Sequence, residues 1–370
     1  MANGDTTLSR VGLIEGGGDN RALFLKKFSG EILTAFDEVN IMRNLHTIRT
    51  IQSGKSAQFP VTGIATSKYH TPGQNIQDAG NSYLSDIAKN EKVISIDGLL
   101  ISSCTLSNLD EAMNHYDIRS VYAEEIAQEL ATRFDTAVIK NFIAAARSAS
   151  PIPTQMPNRA GSVFDASQGQ FTDESGYTDP VDTTAVLSSV QLAAAFFAAA
   201  RRMDERNVPK SGRFAVLPPE EYYKLVTGGG SSAPYQIVLA NSAANKDVGG
   251  VGSIASGQVP MLAGIEIYSS NHVPQTNMTS DTADTQDGSS LINNDVFGAS
   301  GVGYNSDFRR TKGFISHKAA VGTVKLMDLA TEMEYKIELQ ADLFVAKYAM
   351  GHGVLRPECA IEIANSETSA

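Results

Sequence analysis

The residues from Asp110 to Ala149 read DEAMNHYDIRSVYAEEIAQELATRFDTAVIKNFIAAARSA, without a proline or a glycine. Alanine, glutamate, leucine, arginine and glutamine dominate this stretch, and all are good helix formers. Asn108 and Glu111 stand three residues apart, the spacing of a capping box at a helix N-terminus. Ser150 and Pro151 follow the stretch and stop a helix. At about 1.5 Å per residue, the sequence predicts a helical strut roughly 60 Å long over residues 110–149.

Apolar residues recur at every fourth position of this predicted helix. Each residue turns the helix by about 100°, so every step of four shifts the apolar stripe by about 40° around the axis. A coiled coil instead alternates steps of three and four and keeps one seam. The stripe therefore predicts a strut whose ends contact different elements and whose middle residues are buried, although an ordinary core helix within one domain is the alternative. Its residues are Ile118, Tyr122, Ile126, Leu130, Phe134, Val138 and Phe142, of which Ile126, Leu130 and Phe134 are expected to be buried.

The composition limits the classes of function. An apolar fraction of 42% is normal for a folded chain with a sizeable core. The net charge of -11 argues against a general nucleic-acid binder, because phosphate contacts need a basic face. The longest apolar run, Leu192–Ala200, is far shorter than the ~20 residues that span a bilayer, and the N-terminus has no signal region. The sequence therefore predicts a protein that is soluble in the cytoplasm when made and has no membrane partner.

Residues 1–45 have the pattern of an N-terminal arm. A glycine run, Gly16–Gly18, precedes a short amphipathic piece, Ala22–Phe36. A piece this short cannot bury its apolar side chains alone, so we expect it to dock either on its own domain or on a neighbouring subunit. Its apolar residues are Leu23, Phe24, Leu25, Phe28, Ile32, Leu33 and Phe36.

Residues 46–98 combine strand patterns with a long polar connection. Strands are predicted at Leu45–Gln52, Ala57–Thr62 and Lys92–Asp97. The residues between Gly63 and Asn90 contain few apolar side chains, and so long a loop is uncommon within a compact domain. Because strands flank it, the region is predicted to be a projecting β arm that is stabilised by lying on a partner.

The remaining chain divides into an α/β part and a β part. Alternating helix and strand patterns over residues 183–269 predict a compact α/β domain. Apolar and polar residues alternate from Thr331 to Leu343, which predicts one long strand with a buried and a solvated face. A return strand is predicted at Cys359–Ile363. The predicted α/β elements are a helix Thr183–Arg206, a strand Arg213–Leu217, a helix Glu220–Val226 and a strand Gly264–Ser269.

Two glycine-containing stretches resemble nucleotide-binding motifs but are incomplete. Ser53–Ser56 resembles the end of a phosphate-binding loop, yet Arg49 stands where that motif has glycine, and no helix is predicted after it. Gly250–Ala255 fits a loose dinucleotide pattern, but Gly257 and Pro260 follow where a helix must start. Neither stretch therefore predicts a nucleotide site.

The other reactive side chains also suggest no active site. Cys104 and Cys359 match no metal-ligand spacing and are expected to be small buried thiols. The six histidines, at positions 46, 70, 115, 272, 317 and 352, do not pair at metal-ligand spacing. We therefore predict no catalytic residue, no cofactor-binding residue, no metal site and no cofactor.

Five stretches of the chain together resemble the sequence of a known protein family. They are SGKSAQFPVTG (53–63), EKVISIDGLL (91–100), EAMNHYDIRS (111–120), AVGTVKL (320–326) and AKYAMGHGVLRPE (346–358). In sequence and in order they resemble the major capsid proteins of tailed double-stranded DNA bacteriophages, in particular those of short-tailed podoviruses of the autographivirus type. The resemblance is looser over residues 20–36 and 210–275.

The resemblance implies an α+β chain with the Johnson fold of tailed-phage major capsid proteins. In that fold a peripheral domain contains a long spine helix, an axial α/β domain surrounds the hexamer or pentamer axis, and an extended β loop and an N-terminal arm reach neighbouring subunits. The chain then divides into an N-terminal arm (1–45), an extended loop (46–98), a peripheral domain (99–182) with its spine helix (110–149), an axial domain (183–310) and the C-terminal strands of the peripheral domain (311–370). Some relatives cross-link through a lysine, but neither Lys55 nor Lys68 is expected to do so.

The resemblance also implies a structural protein and not an enzyme. Hexamers and pentamers of the chain would form an icosahedral shell around the phage double-stranded DNA genome. The implied partners are other copies of the chain, a scaffolding protein and a portal, with the DNA enclosed without sequence-specific binding in the virion capsid. One alternative is a bacterial nanocompartment shell of the same fold around a cargo enzyme. From another class, the alternative is a nucleotide-binding enzyme, supported only by the incomplete motifs.

Overall fold

The structure, a computed structural model, describes eleven parts of the chain. They are residues 40–77, 83–85, 87–113, 118–166, 170–172, 189–227, 261–279, 285–286, 289–290, 292–297 and 303–365. The α-helices in these parts are α1 (Asn108–Met113), α2 (Ile118–Ala146), α3 (Ser189–Glu205) and α4 (Pro219–Thr227). The strands are β1 (Thr47–Thr50), β2 (Ser56–Thr62), β3 (Lys89–Ser95), β4 (Leu100–Ser107), β5 (Ser162–Asp165), β6 (Gln170–Thr172), β7 (Arg213–Leu217), β8 (Met261–Leu262), β9 (Ile265–Ser269), β10 (Thr285–Gln286), β11 (Ser289–Ser290), β12 (Thr311–His317), β13 (Val321–Lys336), β14 (Ala341–Val354) and β15 (Ala360–Ala364).

The strands form two larger sheets and two hairpins. One sheet has the order β1-β13-β14-β4, with β1 parallel to β13 and the other pairs antiparallel. The other has the order β6-β5-β15-β12-β7-β9-β8 and contains the parallel pairs β15–β5 and β7–β9. β2 pairs with β3, and β10 pairs with β11. Helices and mixed sheets of this kind make the chain α+β, as predicted.

Two described helices, α1 and α2, cover most of the predicted helix over residues 110–149. α1 begins at Asn108, so this residue is part of the helix, and residues 114–117 between α1 and α2 lie outside the described residues. α2 has 29 residues, about 43 Å in length, and ends at Ala146 instead of Ala149. The Ser148 hydroxyl and backbone N–H donate to the carbonyls of Ala144 and Ala145, at 2.6 and 3.2 Å, which closes the last turn early.

The apolar stripe of α2 contacts both large sheets, as its winding predicts. Phe134 packs on the His352 ring in β14, with ring centroids 5.4 Å apart. Two helical turns later, Phe142 stacks on Phe314 in β12 at 5.2 Å and meets Phe214 in β7 edge-on at 5.4 Å. Phe134 and Phe142 thus pack against different sheets of the same subunit.

The expected burial along the stripe is only partly right. Leu130 and Phe134 are buried, but Ile126 is half-buried, whereas Val138 and Phe142 are completely buried. The buried part therefore lies toward the C-terminal end of α2, where the seven-stranded sheet adds a second layer of contacts.

The predicted long strand over Thr331–Leu343 is wrong. β13 ends at Lys336, the chain turns, and β14 begins at Ala341 and pairs back along β13. Ile337 and Leu339 continue the apolar alternation through the turn, so the pattern does not reveal it, while Gln340 adopts a positive φ of 49°. The expected buried face is also wrong for this part of β13, because Met327–Lys336 is exposed except for the half-buried Ala330.

The predicted return strand at Cys359–Ile363 exists, one residue later, in the other sheet. A short 3-10 helix at Pro357–Cys359 redirects the chain after β14, and β15 then lies between β12 and β5. Strands β5, β7 and β15 come from three of the predicted segments, 99–182, 183–310 and 311–370, yet they share this sheet. The division into those segments stays a prediction.

The α/β elements of residues 183–269 are close to those predicted. β7 has the predicted bounds, and α3 occupies the described part of the predicted helix Thr183–Arg206. α3 buries Leu192, Phe196, Ala199 and Met203, which recur at helical spacing, in the same core as β7 and α2. None of the described helices is long and apolar enough to cross a membrane.

Candidate interaction surfaces

The predicted β arm is a hairpin of β2 and β3. The two strands pair along their whole length, from Ser56 opposite Ser95 to Thr62 opposite Lys89. Beyond the strands, the described residues of the arm lie at the surface and expose large apolar side chains. The most exposed of these are Ile64, Tyr69, Ile76, Leu84 and Ile87, and Tyr69 is fully exposed. Several exposed large apolar side chains on one arm indicate a surface for a partner.

The arm is anchored where β3 lies over three glycines of β13 and β14. Ile94 is buried, and a Cβ at Gly353 would be less than 3.0 Å from its side chain. A Cβ at Gly351 would come even closer to the carbonyl oxygen of Ser95, and a Cβ at Gly322 would lie within contact distance of Ile94. These glycines allow the base of the arm to approach the sheet more closely than any other residue type would permit.

A buried polar cluster connects the arm base with Asn293, Asn294 and Tyr304. The Tyr304 hydroxyl donates to the Asp97 carboxylate at 2.6 Å and accepts from the backbone N–H of His352 at 2.8 Å. The Asn293 backbone N–H donates to Asp97 at 2.8 Å. Asn294 bonds the backbone of Ser95 twice, accepting from its N–H at 2.8 Å and donating to its carbonyl at 2.6 Å. The cluster therefore fixes both the position and the direction of β3.

Burial dominates the electrostatics of this cluster. It raises the pKa of the Asp97 carboxyl to about 6, although the hydrogen bonds from Tyr304, Asn293 and Asn294 act in the opposite direction. It also raises the pKa of the Tyr304 hydroxyl well above its ordinary value. For His352, burial lowers the pKa to about 3, so this imidazole is neutral at pH 7. The neutral His352 and Tyr304 provide no cation to offset the charge of Asp97.

The arm base brings together four of the five stretches on which the resemblance rests. Ser95 and Asp97 belong to EKVISIDGLL, and the Lys55 carbonyl of SGKSAQFPVTG accepts from the Ile96 N–H at 2.7 Å. Gly322 belongs to AVGTVKL, while Gly351 and Gly353 belong to AKYAMGHGVLRPE. Sequence reasoning identified these stretches but missed Asn294 and Tyr304, which lie in a polar region without a recognisable motif.

The residues considered for nucleotide binding or cross-linking are not assembled into a site. Ser53–Ser56 forms the turn that leads into β2, and Lys55 and Lys68 are both exposed. Gly250–Ala255 lies outside the described residues. Among the residues that the structure does describe, no three histidine, cysteine, aspartate or glutamate side chains are grouped so as to hold a metal ion.

The structure places the histidines and cysteines in different environments. His46 and His352 both pack against Phe134, with ring centroids 5.7 and 5.4 Å from it, a shared contact that their spacing in the sequence does not indicate. His115 lies outside the described residues. Cys359 is buried as predicted, and burial raises its thiol pKa to about 12, whereas Cys104 is only half-buried.

A second exposed surface is the tip of the β13–β14 hairpin. Its exposed large apolar side chains are Met327, Leu329, Met333, Tyr335 and Ile337. Glu332, between Met333 and Leu329, pairs with Lys347 at 2.7 Å. From Met327 to Lys336 no described strand pairs with the outer edge of β13, since β1 ends opposite Lys325. An unpaired edge of this kind is a template for pairing with another chain.

Comparisons with known proteins identify relatives over most of the chain. A model of the Gp10A-like major capsid protein family matches residues 58–364. The major capsid protein of Escherichia phage T7 is 34% identical over 346 residues, covering 93% of this chain and 92% of that protein. The major capsid protein of Enterobacteria phage T3 is 32% identical over 352 residues, covering 92% of this chain and 91% of that protein.

Solved capsid structures have the same architecture. The capsid structure of cyanophage P-SCSP1u aligns with a TM-score of 0.72 and 36% identity, covering 98% of this chain and all of that chain. The mature capsid of bacteriophage PhiM1 aligns with a TM-score of 0.67 at 17% identity, which shows the fold alone. The fold is thus the Johnson fold of tailed-phage capsid proteins.

Proposed function

The chain belongs to the Gp10A-like major capsid protein family, and from this premise we propose that it builds its shell through the arm surfaces described above. It is a major capsid protein of the type found in phages T7 and T3, a component of an icosahedral virion shell. The shell is built from many copies of the chain. We propose that these copies associate as hexamers and pentamers.

One observation carries the proposal: beyond its strands, the described part of the β2–β3 arm exposes large apolar side chains. Ile64, Tyr69 and Leu84 are each at least half exposed in the single chain. The base of the arm, in contrast, is held by buried Ile94 and by the Asp97–Tyr304 cluster. An anchored base and an exposed apolar end suit an arm that is covered by a neighbouring copy.

The energy for this association comes from burying these surfaces against neighbours. Removing apolar surface from water stabilises a contact by about 25 cal/mol per Å². Stable, specific interfaces bury about 1,000 Å² or more in total, an area that an arm and a hairpin tip together can supply. In this proposal the arm of one copy and the β13–β14 tip of another both lose their exposure in the shell.

We propose that each predicted segment forms one part of the capsid fold. Residues 1–45 are the N-terminal arm, 46–98 the extended loop, 99–182 and 311–370 the peripheral domain, and 183–310 the axial domain. α2 runs along both large sheets, so it can hold their geometry constant while subunits tilt to form either hexamers or pentamers. The protein would then act through geometry and not through catalysis.

The other proposed partners follow from the role of a shell. A scaffolding protein and a portal would take part during assembly in the host cytoplasm, and the finished shell would enclose double-stranded DNA. The net charge of -11 suits this role, because an acidic wall does not hold the DNA phosphates. The similarity to phage capsid proteins favours enclosing a genome over a nanocompartment with a cargo enzyme.

The test is to express the full chain alone and together with a scaffolding protein, and to image the products by electron microscopy. Closed shells with pentamers and hexamers are expected in at least one of the two conditions. A product that is uniformly monomeric in both conditions contradicts the proposal. Tyr69→Asp provides the matched variant, because its side chain is fully exposed in the single chain and the change should block shells without unfolding the subunit.

A further inference from the structure

An apolar cavity of about 330 Å³ opens between α2 and the four-stranded sheet. Leu130 and Phe134 of α2 and Tyr348 of β14 line its buried part. Ile48 and Leu329 line its open side, where they are 43% and 47% exposed. An apolar cavity of about 150 Å³ accommodates benzene, so this one has room for about two apolar side chains.

The chain enters the described structure beside this cavity. Asn40 lines it and donates its side-chain amide to the carbonyl of Ala131 in α2 at 3.3 Å. The backbone N–H groups of Ile41 and Met42 donate to the carboxylate of Asp135 at 2.8 and 3.2 Å. Asp135 is completely buried, so these bonds hold the entry point at a fixed place. The preceding residues therefore begin at the rim of the cavity.

The sequence before this point contains suitable apolar side chains on a short tether. Ile32 and Phe36 stand four residues apart, which places them on one face of a helix. Phe36 precedes Asn40 by four residues, and an extended chain covers at most about 3.6 Å per residue, so the tether reaches about 14 Å. A segment tethered this closely has an effective concentration in the millimolar range, which favours it over the same segment of another copy.

The charges around the cavity fit the same segment. Arg43 and Lys325 are among the residues that line it. Lys325 forms an ion pair with Asp328, which holds the pKa of that carboxyl below its usual range. Asp37 and Glu38 lie between Phe36 and Asn40, so docking would bring two carboxylates to the rim that carries Arg43.

We propose that Phe36 and Ile32 occupy this cavity of their own subunit and so anchor the N-terminal arm on α2. The sequence left open whether the amphipathic piece Ala22–Phe36 docks on its own domain or on a neighbour, and residues 1–39 lie outside the described residues. The cavity, the fixed entry point and the short tether favour the same subunit. The inference concerns the individual subunit and does not depend on shell formation.

Disulfide cross-linking in the full-length chain tests this assignment. Phe36→Cys and Leu329→Cys are combined with Cys104→Ser, and the protein is oxidised and separated on a non-reducing denaturing gel. A disulfide needs Cα atoms about 4.4–6.8 Å apart, so only a docked segment brings the two cysteines together efficiently. We expect a disulfide within one chain, seen as a monomer band and identified by peptide mass spectrometry. A disulfide between chains, or none, overturns the proposal.

Thr34→Cys provides the matched control. It replaces Phe36→Cys in the same background and lies two residues away, on the opposite face of a helix. It should form the disulfide with position 329 much less efficiently, and equal yields for positions 34 and 36 would mean that proximity along the chain alone explains the product.

Limited trypsin digestion gives a second readout that needs no cysteine. Lys26 and Lys27 lie in the amphipathic piece, and cleavage there requires its release. Phe36→Ala should accelerate cleavage after these residues by about tenfold or more, because the variant loses a buried aromatic side chain. Thr34→Ala should leave the rate unchanged, and equal acceleration by both variants, or by neither, contradicts the docking. Electron microscopy of the same samples separates a failure of docking from a failure of shell formation.

Discussion

Gly351 in β14 lies directly against the backbone of Ser95 at the end of β3, with no room between them for a side chain. A Cβ at position 351 would be less than 3.0 Å from the Ser95 carbonyl oxygen. That oxygen also accepts a hydrogen bond from Asn294, so it has little freedom to move away. The contact between these two residues sets how closely the arm approaches the sheet.

Gly351→Ala should therefore destabilise the arm base. Overpacking a well-packed site costs about 1–3 kcal/mol, and the free energy of unfolding of the unassembled subunit should fall by this amount. Amide hydrogen exchange should increase at residues 94–97. Thr331→Ala, an exposed position on the neighbouring strand, is the control and should change neither quantity. If Gly351→Ala changes neither the free energy of unfolding nor the amide exchange, the backbone shifts without an energetic cost and the prediction is wrong.

The pKa of Asp97 predicts a pH dependence of stability. Its value is raised from 3.8 to about 6 in the folded chain, so the folded form binds the proton more tightly than the unfolded form. This group's contribution to stability is therefore greatest below pH 3.8 and is lost as the pH rises through 6. The difference is worth about 3 kcal/mol.

Asp97→Asn should remove this part of the pH dependence. The free energy of unfolding would be measured by chemical denaturation between pH 4.5 and pH 7 in both proteins. Wild-type stability should fall across this interval by about 2 kcal/mol more than that of the variant. Parallel curves for the two proteins would contradict a raised pKa at this site.

Tyr304→Phe should loosen the arm base without leaving a cavity. The change removes the hydroxyl that donates to Asp97 at 2.6 Å and accepts from the His352 N–H. Leaving such buried groups unsatisfied costs about 1–3 kcal/mol, measurable by thermal or chemical denaturation. Tyr335→Phe on the exposed hairpin tip is the matched control and should have almost no effect. Equal effects at both positions would argue against a specific role for Tyr304.

The ion pair of Arg147 and Glu362 should contribute strongly to stability at the end of α2. Arg147 donates to both carboxylate oxygens at 2.7 Å, and the Glu362 side chain is completely buried. Arg147→Ala leaves that carboxylate without its cation, which costs about 3–5 kcal/mol for a buried pair. Lys347→Ala breaks the surface pair with Glu332 and should cost less than about 1 kcal/mol. Denaturant titrations of both variants would test the difference, and similar losses would contradict it.

Much of the local structure was predictable because it leaves a periodic pattern in the sequence. The helix α2, the strand Arg213–Leu217 and the two strands of the β arm were found within a few residues of predicted helical and strand segments. The winding of the apolar stripe also predicted contacts with different elements along the helix, and Phe134 and Phe142 do pack on different sheets. Helical and strand periods record which faces are buried, and that information is local.

The arm base was only partly predictable. The glycines at 322, 351 and 353 lie in recognisable stretches, but nothing in the sequence indicates that Ile94 and Ser95 fill the space above them. Asn294 and Tyr304 are separated from Asp97 by 197 and 207 residues, and single polar side chains outside helices and strands leave no periodic pattern. Contacts of this kind depend on the path of the chain through space.

By itself, the sequence determined the long helix and the projecting arm, because both depend on propensities and patterns of neighbouring residues, whereas the α+β class came from the resemblance to tailed-phage capsid proteins. Only the tertiary structure decided where the chain reverses between Thr331 and Leu343. Ile337 and Leu339 continue the apolar alternation through the turn, which ends at Gln340 with its positive φ, so the pattern does not show the reversal. It likewise decided that β15 pairs with β12 and β5 and not with β14. Strand partners are chosen by long-range packing and hydrogen bonding, which a one-dimensional pattern does not contain.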